Sequence, residues 1–229
     1  MLTTAESVER ICASAKALLC LDACAVLDIA RDPTRDKFSG GHASAAVELL
    51  GRAESAPPGL SLLMNMTVRD EISTNLDQVE AESGRRLERL DAAMRRTVGV
   101  SLLDAPPQLS DLQFPVAARL VVQRFLNAAH VVEDDADSKV RAIDRVGRGI
   151  APASRAKQSA KDCLIVETYL QVARGLRAAG FTEKIVLLTT NTSDFTTGSP
   201  SQPHADLIPD FAAVGMSLAT DFLMARYAF

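Results

Sequence analysis

Acidic and amide side chains follow each of the three most apolar runs in this sequence. Asp22 comes directly after "ALLCL", Glu71 lies shortly after "SLLMNMT", and Asn191 and Asp194 follow "IVLLTT". Asp162 lies in the first turn of a helix that is predicted just before the last of these runs. These oxygen-bearing side chains are the candidates for chemistry.

Carboxylates that gather in one place repel one another, and a bound cation is an effective way of offsetting that repulsion. Oxygen ligands with no cysteine or histidine around them favour Mg²⁺ or Mn²⁺ over zinc. Such ions activate a water molecule for attack on a phosphodiester and stabilise the oxygen that leaves. The pattern therefore predicts metal-dependent phosphodiester hydrolysis with one or two ions.

The apolar runs alternate with helical patterns, which predicts a parallel sheet covered by helices on both faces. The expected fold class is a three-layer α/β/α, Rossmann-like arrangement in a single domain over residues 1–229. Right-handed crossovers then place the carboxyl ends of the strands along one edge, where open α/β sheets bind ligands. Helices are predicted over the whole of "VAARLVVQRFLNAAHVVE" and the whole of "FAAVGMSLATDFLMARYAF".

Composition restricts the class of protein. With 47% hydrophobic and 24% charged residues the chain is expected to be soluble and globular, and its apolar runs are too short to span a bilayer. The four cysteines lack the spacing of a disulfide framework or a zinc site, which favours free thiols in the cytoplasm. A formal net charge of −4 gives no overall attraction to nucleic acid, so a polyanionic substrate requires local basic groups or a metal.

Four segments resemble, in order and in structural setting, the four motifs of the PIN-domain nucleases: "LLCLDACAVLDI", "MTVRDEI", "AKDCLIVETYL" and "VLLTTNTSDF". This family of small metal-dependent ribonucleases includes the toxins of bacterial toxin–antitoxin pairs. The resemblance implies a PIN-like fold, RNA cleavage with Mg²⁺ or Mn²⁺, and Asp22, Glu71 and Asp162 as the first three acidic ligands. RNA is then the expected substrate, and an antitoxin-like inhibitor and a second copy of the chain are the other expected partners.

The last motif departs from the commonest form of the family. Asn191 stands where many members carry an acid, and Asp194 supplies one three residues later. This Asn-x-x-Asp-Phe ending is similar to that of a subset of bacterial PIN-like proteins. Asp194 could bind the metal directly, reach it through water or shape the loop, and the sequence leaves these alternatives open. The stretch from about 76 to 155 is longer than a compact PIN domain needs, so its helices are expected to be an insertion.

Each candidate also has a purely structural explanation. Asp22 could cap the helix that follows it, and Glu71 and Asp162 could be first-turn acids that complement a helix dipole. Asn191 and Asp194 could form Asx-turns. If these explanations hold, the chain is instead a catalytically inactive PIN-like module that binds RNA or a protein partner.

Two lysines are candidate substrate contacts. Lys157 and Lys161 lie one helical turn apart and Lys161 adjoins Asp162, which predicts phosphate contacts, although the same pattern is typical of a solvated helix start. Other α/β enzymes fit less well. A haloacid-dehalogenase-type phosphatase requires an Asp where this chain has Cys24, and the chain lacks the glycine-rich turn of a dinucleotide enzyme.

Overall fold

The computed structural model describes residues 1–14, 17–31, 33–35, 40–101, 109–154 and 159–229. Within them the strands are β1 (Ala17–Leu21), β2 (Ser61–Asn65), β3 (His130–Val132), β4 (Lys184–Leu188), β5 (Thr196–Thr197), β6 (Ser199–Pro203) and β7 (Met216–Ala219). The helices are α1 (Thr4–Ser14), α2 (Ala23–Asp28), α3 (Gly40–Glu54), α4 (Met66–Ser101), α5 (Phe114–Ala128), α6 (Ala136–Arg148), α7 (Ala160–Ala178), α8 (Thr192–Phe195), α9 (Ile208–Val214) and α10 (Phe222–Ala228), with a 3₁₀ turn at Leu109–Leu112.

Five of these strands form one parallel sheet in the order β3-β2-β1-β4-β7, and β5 and β6 form a separate antiparallel ribbon. Every residue of β1 and of β2 is buried, as expected for central strands that are covered on both faces. Helices α1, α6, α7 and α9 pack together in one layer, and α2, α3, α4, α5 and α10 pack together in the other. The predicted three-layer α/β/α fold with a parallel sheet is confirmed.

The direction of the chain through the sheet reverses between β1 and β4. From β1 the chain moves outward to β2 and β3, and it then crosses back over to β4 and β7 on the other side. Connections that diverge in this way leave a crevice at the carboxyl ends of the two strands, which is where open α/β sheets place their ligands. The fold therefore points to the ends of β1 and β4 as the place for a site.

Two long helices predicted from the sequence are shorter than predicted. The helix over "VAARLVVQRFLNAAHVVE" ends at Ala128, and His130–Val132 form strand β3 instead. The helix over "FAAVGMSLATDFLMARYAF" is divided at Gly215, whose φ of 59° ends α9 and leads into the buried strand β7. Both predictions were wrong because a short apolar strand has the same composition as a buried turn of helix.

Strand β3 lies inside the stretch 76–155 that was predicted to be a helical insertion, and yet it belongs to the central sheet. Helix α4 is 36 residues long and packs against α5, and the same stretch also contains α6, which packs against α7. The bounds of an insertion, and the single domain over 1–229, stay predictions. No helix in the described parts of the chain combines the length and the apolar character needed to cross a bilayer.

Candidate functional site

Asp22 lies at the carboxyl end of β1, and its backbone N–H donates to the carbonyl of Leu188 at the end of β4, at 3.0 Å. The side chain is only 4% exposed. It precedes α2 but makes no capping hydrogen bond to that helix, so the capping explanation is wrong. Instead Oδ2 accepts hydrogen bonds from Thr189 Oγ1 at 2.6 Å and from Cys24 Sγ at 3.0 Å.

The thiol of Cys24 is part of this site. Burial, followed by the nearby charge of Asp22, raises the pKa of Cys24 to about 12. The thiol therefore keeps its proton and acts as a donor to the Asp22 carboxylate. Its sulfur also lies 3.3 Å from Thr189 Oγ1, so the two donors to Asp22 contact each other.

Asn191 joins two further acids that come from different elements. Its amide Nδ2 donates to Asp194 Oδ2 at 2.9 Å and to Asp162 Oδ2 at 3.4 Å. Ser193 Oγ donates to Asn191 Oδ1 at 2.8 Å, which holds the amide in this orientation. Asp162 and Asp194 are both half-buried and have one amide group between them.

The two halves of the site meet at Thr189, the residue that follows β4. Its hydroxyl donates to Asp22 and accepts the backbone N–H of Asn191 at 3.1 Å. Asp22, Asp162, Asn191 and Asp194 therefore form one connected group, which we call the acidic cluster. It lies at the ends of β1 and β4, where the direction of the chain through the sheet reverses.

The other predicted site residues stand apart from this group. Glu71 is half-buried on α4, which packs against α2, and none of the contacts described for Glu71 joins its carboxylate to the acidic cluster. Lys161 is exposed beside Asp162. Lys157 lies outside the described residues.

The donor types of the acidic cluster suit a hard divalent cation, because they are carboxylate and amide oxygens with neighbouring hydroxyls. Among the described residues, however, no three His, Cys, Asp or Glu side chains are close enough together to hold an ion. Asn191 accounts for part of this arrangement, since its amide nitrogen lies between Asp162 and Asp194. An amide also carries an acceptor oxygen, so the same residue could serve as a ligand.

A second polar network at the same edge of the sheet was missed by the sequence analysis. Asp134 follows β3 and accepts hydrogen bonds from Asn65 Nδ2 at 2.7 Å, from Thr67 N at 3.2 Å and Oγ1 at 2.8 Å, and from Thr168 Oγ1 at 3.3 Å. Asn65 Oδ1 in turn accepts the backbone N–H of Val68, which caps the start of α4. Asp134 is an acid at a strand exit, like Asp22, but its bonds join β2, α4 and α7.

Tyr169 connects the ends of β1 and β2 beneath these networks. Its hydroxyl donates to the carbonyl of Leu21 and accepts the N–H of Asn65 at 3.2 Å. The ring is fully buried, and this burial raises the pKa of the phenol well above its ordinary value. A neutral Tyr169 therefore sets the spacing of the two strand ends, next to Asp22 on one side.

Comparison with known families gives one match. A family model described as "PIN domain" matches residues 19–195, which is more than half of the chain and includes Asp22, Glu71, Asp162, Asn191 and Asp194. Neither the curated proteins nor the solved structures give a match. The bacterial subset suggested by the Asn-x-x-Asp-Phe ending stays a prediction. PIN domains are in general nucleases that use divalent metal ions. From the extent of this match, together with the parallel sheet and its strand-end acids, we conclude that the chain belongs to the PIN-domain family.

Proposed function

We propose that this protein is a metal-dependent endoribonuclease that hydrolyses RNA phosphodiester bonds at the acidic cluster. The observation that carries the proposal is that hydrogen bonds through Thr189 and Asn191 connect Asp22 with Asp162 and Asp194 at the carboxyl ends of β1 and β4. The amide of Asn191 donates to both Asp162 and Asp194, which brings two acidic side chains close together at the sheet edge. Such an arrangement is favourable when a cation is present to offset the repulsion.

Mg²⁺ or Mn²⁺ held by Asp22, Asp162 and Asp194, with Asn191 or Glu71 as a further ligand, would supply an activated water and stabilise the leaving oxygen. The residues of the chain do the positioning. Thr189 and Cys24 both donate to Asp22 Oδ2, which restricts the carboxylate to one rotamer.

Basic groups beside the acids are proposed to bind the substrate. The exposed Lys161 adjoins Asp162 on α7 and is proposed to contact a phosphate of the RNA, together with Lys157. The cytoplasm is the proposed location, which agrees with the state of the cysteines, since all four are free thiols.

The test uses isosteric substitutions that remove the charge and keep the shape. Asp22→Asn and Asp162→Asn are each expected to lower cleavage of a labelled single-stranded RNA in Mn²⁺ by about 10²- to 10³-fold, because several kcal/mol of charge stabilisation are lost. Asp137→Asn is the matched control for Asp162, since Asp137 is an exposed acid in the first turn of α6. Undiminished metal-dependent cleavage by both site variants would show that another site, or another protein in the preparation, cuts the RNA.

A second candidate function is a catalytically inactive module that binds RNA or a protein partner. It is favoured by one observation, namely that no three metal-binding side chains are assembled among the described residues. This candidate predicts that Mn²⁺ neither shifts the melting temperature of the wild type nor supports cleavage. The endoribonuclease predicts a Mn²⁺-dependent rise in melting temperature that Asp22→Asn reduces.

A further inference from the structure

A cleft of about 480 Å³ opens beside the acidic cluster at the same edge of the sheet. Its walls come from α2, from the start of α3 and from the residues that follow β4 and β7. Thr190 and Thr192 line it, and these are the two neighbours of Asn191. The cleft and the acidic cluster are therefore on either side of one short segment of chain.

The lining divides into an apolar and a polar part. Ile29 and Ala43 are half-buried and contribute apolar surface, whereas Ala25 and Phe222 also line the cleft but are fully or almost fully buried. Three threonines line the polar part: Thr190, Thr192 and Thr220. A volume of this size with mixed lining is in the range of small-molecule sites, which is roughly 300–1,000 Å³.

Both arginines of the cleft lie on one wall. Arg31 and Arg35 both contact the same oxygen of Asp28, Oδ1, at 2.8 and 3.1 Å. With Asp221, which also lines the cleft, two aspartates balance the two arginines, so the lining offers guanidinium N–H groups without a formal net charge. The Arg31 side chain is 42% exposed, which leaves its other N–H groups accessible to a ligand.

The remaining charged groups of the cleft are engaged with the protein. Asp221 accepts the N–H of Met224 at 2.7 Å and so caps α10, and His42 Nε2 lies 3.6 Å from its other oxygen. The exposed guanidinium of Arg31 therefore stands in a cleft with apolar lining close to the acidic cluster. That combination suits a ligand with a flat apolar part and an anionic group.

We propose that this cleft binds one nucleotide of the RNA, immediately next to the scissile phosphate. The base lies against Ile29 and Ala43, and the phosphate is contacted by Arg31. The proposal rests on the proposed function, because the acidic cluster then acts on the phosphodiester that leads out of the cleft past Thr190 and Thr192. The cleft is a substrate-binding site and is separate from the metal ligands.

The first experiment fills the cleft. Ala43→Phe adds a ring at the lining of the cleft, and Ser44→Phe adds a ring at the exposed neighbouring position of α3 as the matched control. Ala43→Phe is expected to raise the KM for RNA about tenfold or more with little change in kcat, because binding of substrate and transition state is lost equally. Equal KM values for the two variants would overturn the proposal.

The second experiment measures binding without cleavage. Calorimetric titration of the wild type with adenosine 5′-monophosphate is expected to detect a site that is weakened about tenfold or more by Arg31→Ala, through loss of a charged hydrogen bond, and by Ala43→Phe. Inorganic phosphate is the comparison ligand. If phosphate binds as tightly as the nucleotide, the cleft recognises no base and the proposal is wrong.

The two experiments separate the cleft from the nuclease activity. Nucleotide binding that depends on Ala43 and Arg31, in a protein that cleaves no RNA, would support the cleft and contradict the proposed function. RNA cleavage that depends on Asp22, with unchanged KM and unchanged nucleotide binding in Ala43→Phe and Arg31→Ala, would support the nuclease and overturn the cleft. Circular dichroism of each variant establishes whether it is folded. If Ala43→Phe does not fold, Arg31→Ala tests the cleft in its place.

Discussion

Two polar networks occupy the same edge of the sheet and differ in how their carboxylates are held. At the ends of β2 and β3, Asp134 accepts four hydrogen bonds from Asn65, Thr67 and Thr168, shared over both of its oxygens. At the ends of β1 and β4, both donors to Asp22 reach the same oxygen, Oδ2. Within the described residues its Oδ1 accepts no hydrogen bond.

The difference separates a stabilising network from a site suited to binding a cation. A carboxylate with a full set of donors joins the elements that supply those donors, and few of its lone pairs remain for a ligand. A carboxylate whose donors reach only one of its oxygens, in a group with two other acids, gains more when a cation arrives. The same kind of residue at the same edge thus stabilises the fold in one place and is available for chemistry in the other.

Asp134→Ala would test the stabilising half of this comparison and is expected to have the largest effect on stability. The substitution leaves the buried amide of Asn65 and the hydroxyl of Thr168 without their acceptor, which costs about 2–3 kcal/mol of unfolding free energy. Urea denaturation measures this loss. RNA cleavage per folded molecule is expected to stay within about twofold of wild type, and a large fall in cleavage with little loss of stability would reverse the roles assigned to the two networks.

Tyr169→Phe would affect both networks at once, because its hydroxyl connects the end of β1 with the end of β2. Removal of this hydroxyl leaves the buried Leu21 carbonyl and Asn65 N–H unsatisfied, with an expected loss of about 1–2 kcal/mol in urea denaturation. We also expect lower RNA cleavage, since Leu21 precedes Asp22 in the chain. Lower stability with unchanged cleavage would show that the position of Asp22 does not depend on Tyr169.

Asn191→Asp would test the acidic cluster by adding a third acid beside Asp162 and Asp194. Without metal, like-charge repulsion and loss of the amide donor are expected to lower stability by about 1 kcal/mol. With saturating Mn²⁺ the variant is expected to become more stable than the wild type, because the added carboxylate oxygen serves as a ligand. Melting temperatures with EDTA and with Mn²⁺ measure both effects, and Asn75→Asp on α4 is a control at a half-buried Asn outside the cluster. If Mn²⁺ gives the variant no larger rise than the wild type, Asn191 is not next to the ion.

Substitution of Asp135 is expected to have the smallest effect on stability. This residue is next to Asp134 in the chain. Burial raises its pKa, but hydrogen bonds from Ser138 and from Thr4 outweigh that effect, so the net pKa lies below its ordinary value. The stability it contributes is therefore present above the pKa of the unfolded chain and is lost as the pH falls through the lower pKa of the folded state.

Asp135→Asn is expected to lower the unfolding free energy at neutral pH by about 0.3–1 kcal/mol, because the negative charge at the N-terminus of α6 is lost while Asn caps a helix about as well as Asp. The difference from wild type should shrink as acid protonates Asp135 in the folded protein. Urea denaturation at neutral and at acidic pH measures it. A difference that stays constant over this range would mean that the charge of Asp135 contributes nothing.

Three of the five strands of the central sheet were predictable, and the reason is their length and uniform burial. The runs that became β1, β2 and β4 each have five residues and are bounded by polar residues or turns. Strands β3 and β7 have three and four residues and adjoin helices in sequence, so periodicity assigned them to those helices. These two segments are strands and not helices because each pairs with a neighbouring strand at an edge of the sheet.

The candidate site was predicted in part for a similar reason. Asp22, Asp162, Asn191 and Asp194 follow or precede apolar runs, and parallel strands bring such positions to one edge. Thr189, Cys24 and Tyr169 gave no comparable signal, since a threonine, a cysteine or a tyrosine at a strand or helix position is ordinary in a core. Their contribution depends on hydrogen bonds between elements far apart in the chain.

The sequence by itself determined the alternation of strands and helices, the α/β class and the acids that could meet. This information is local, because apolar periodicity and the residue that follows a strand are both properties of a short segment of the sequence. Only the tertiary structure decided that Asp134 would receive a full set of donors while Asp22 would not, although both are acids at strand exits. That outcome depends on which neighbouring side chains the packed elements bring within hydrogen-bond distance, and no local pattern encodes it.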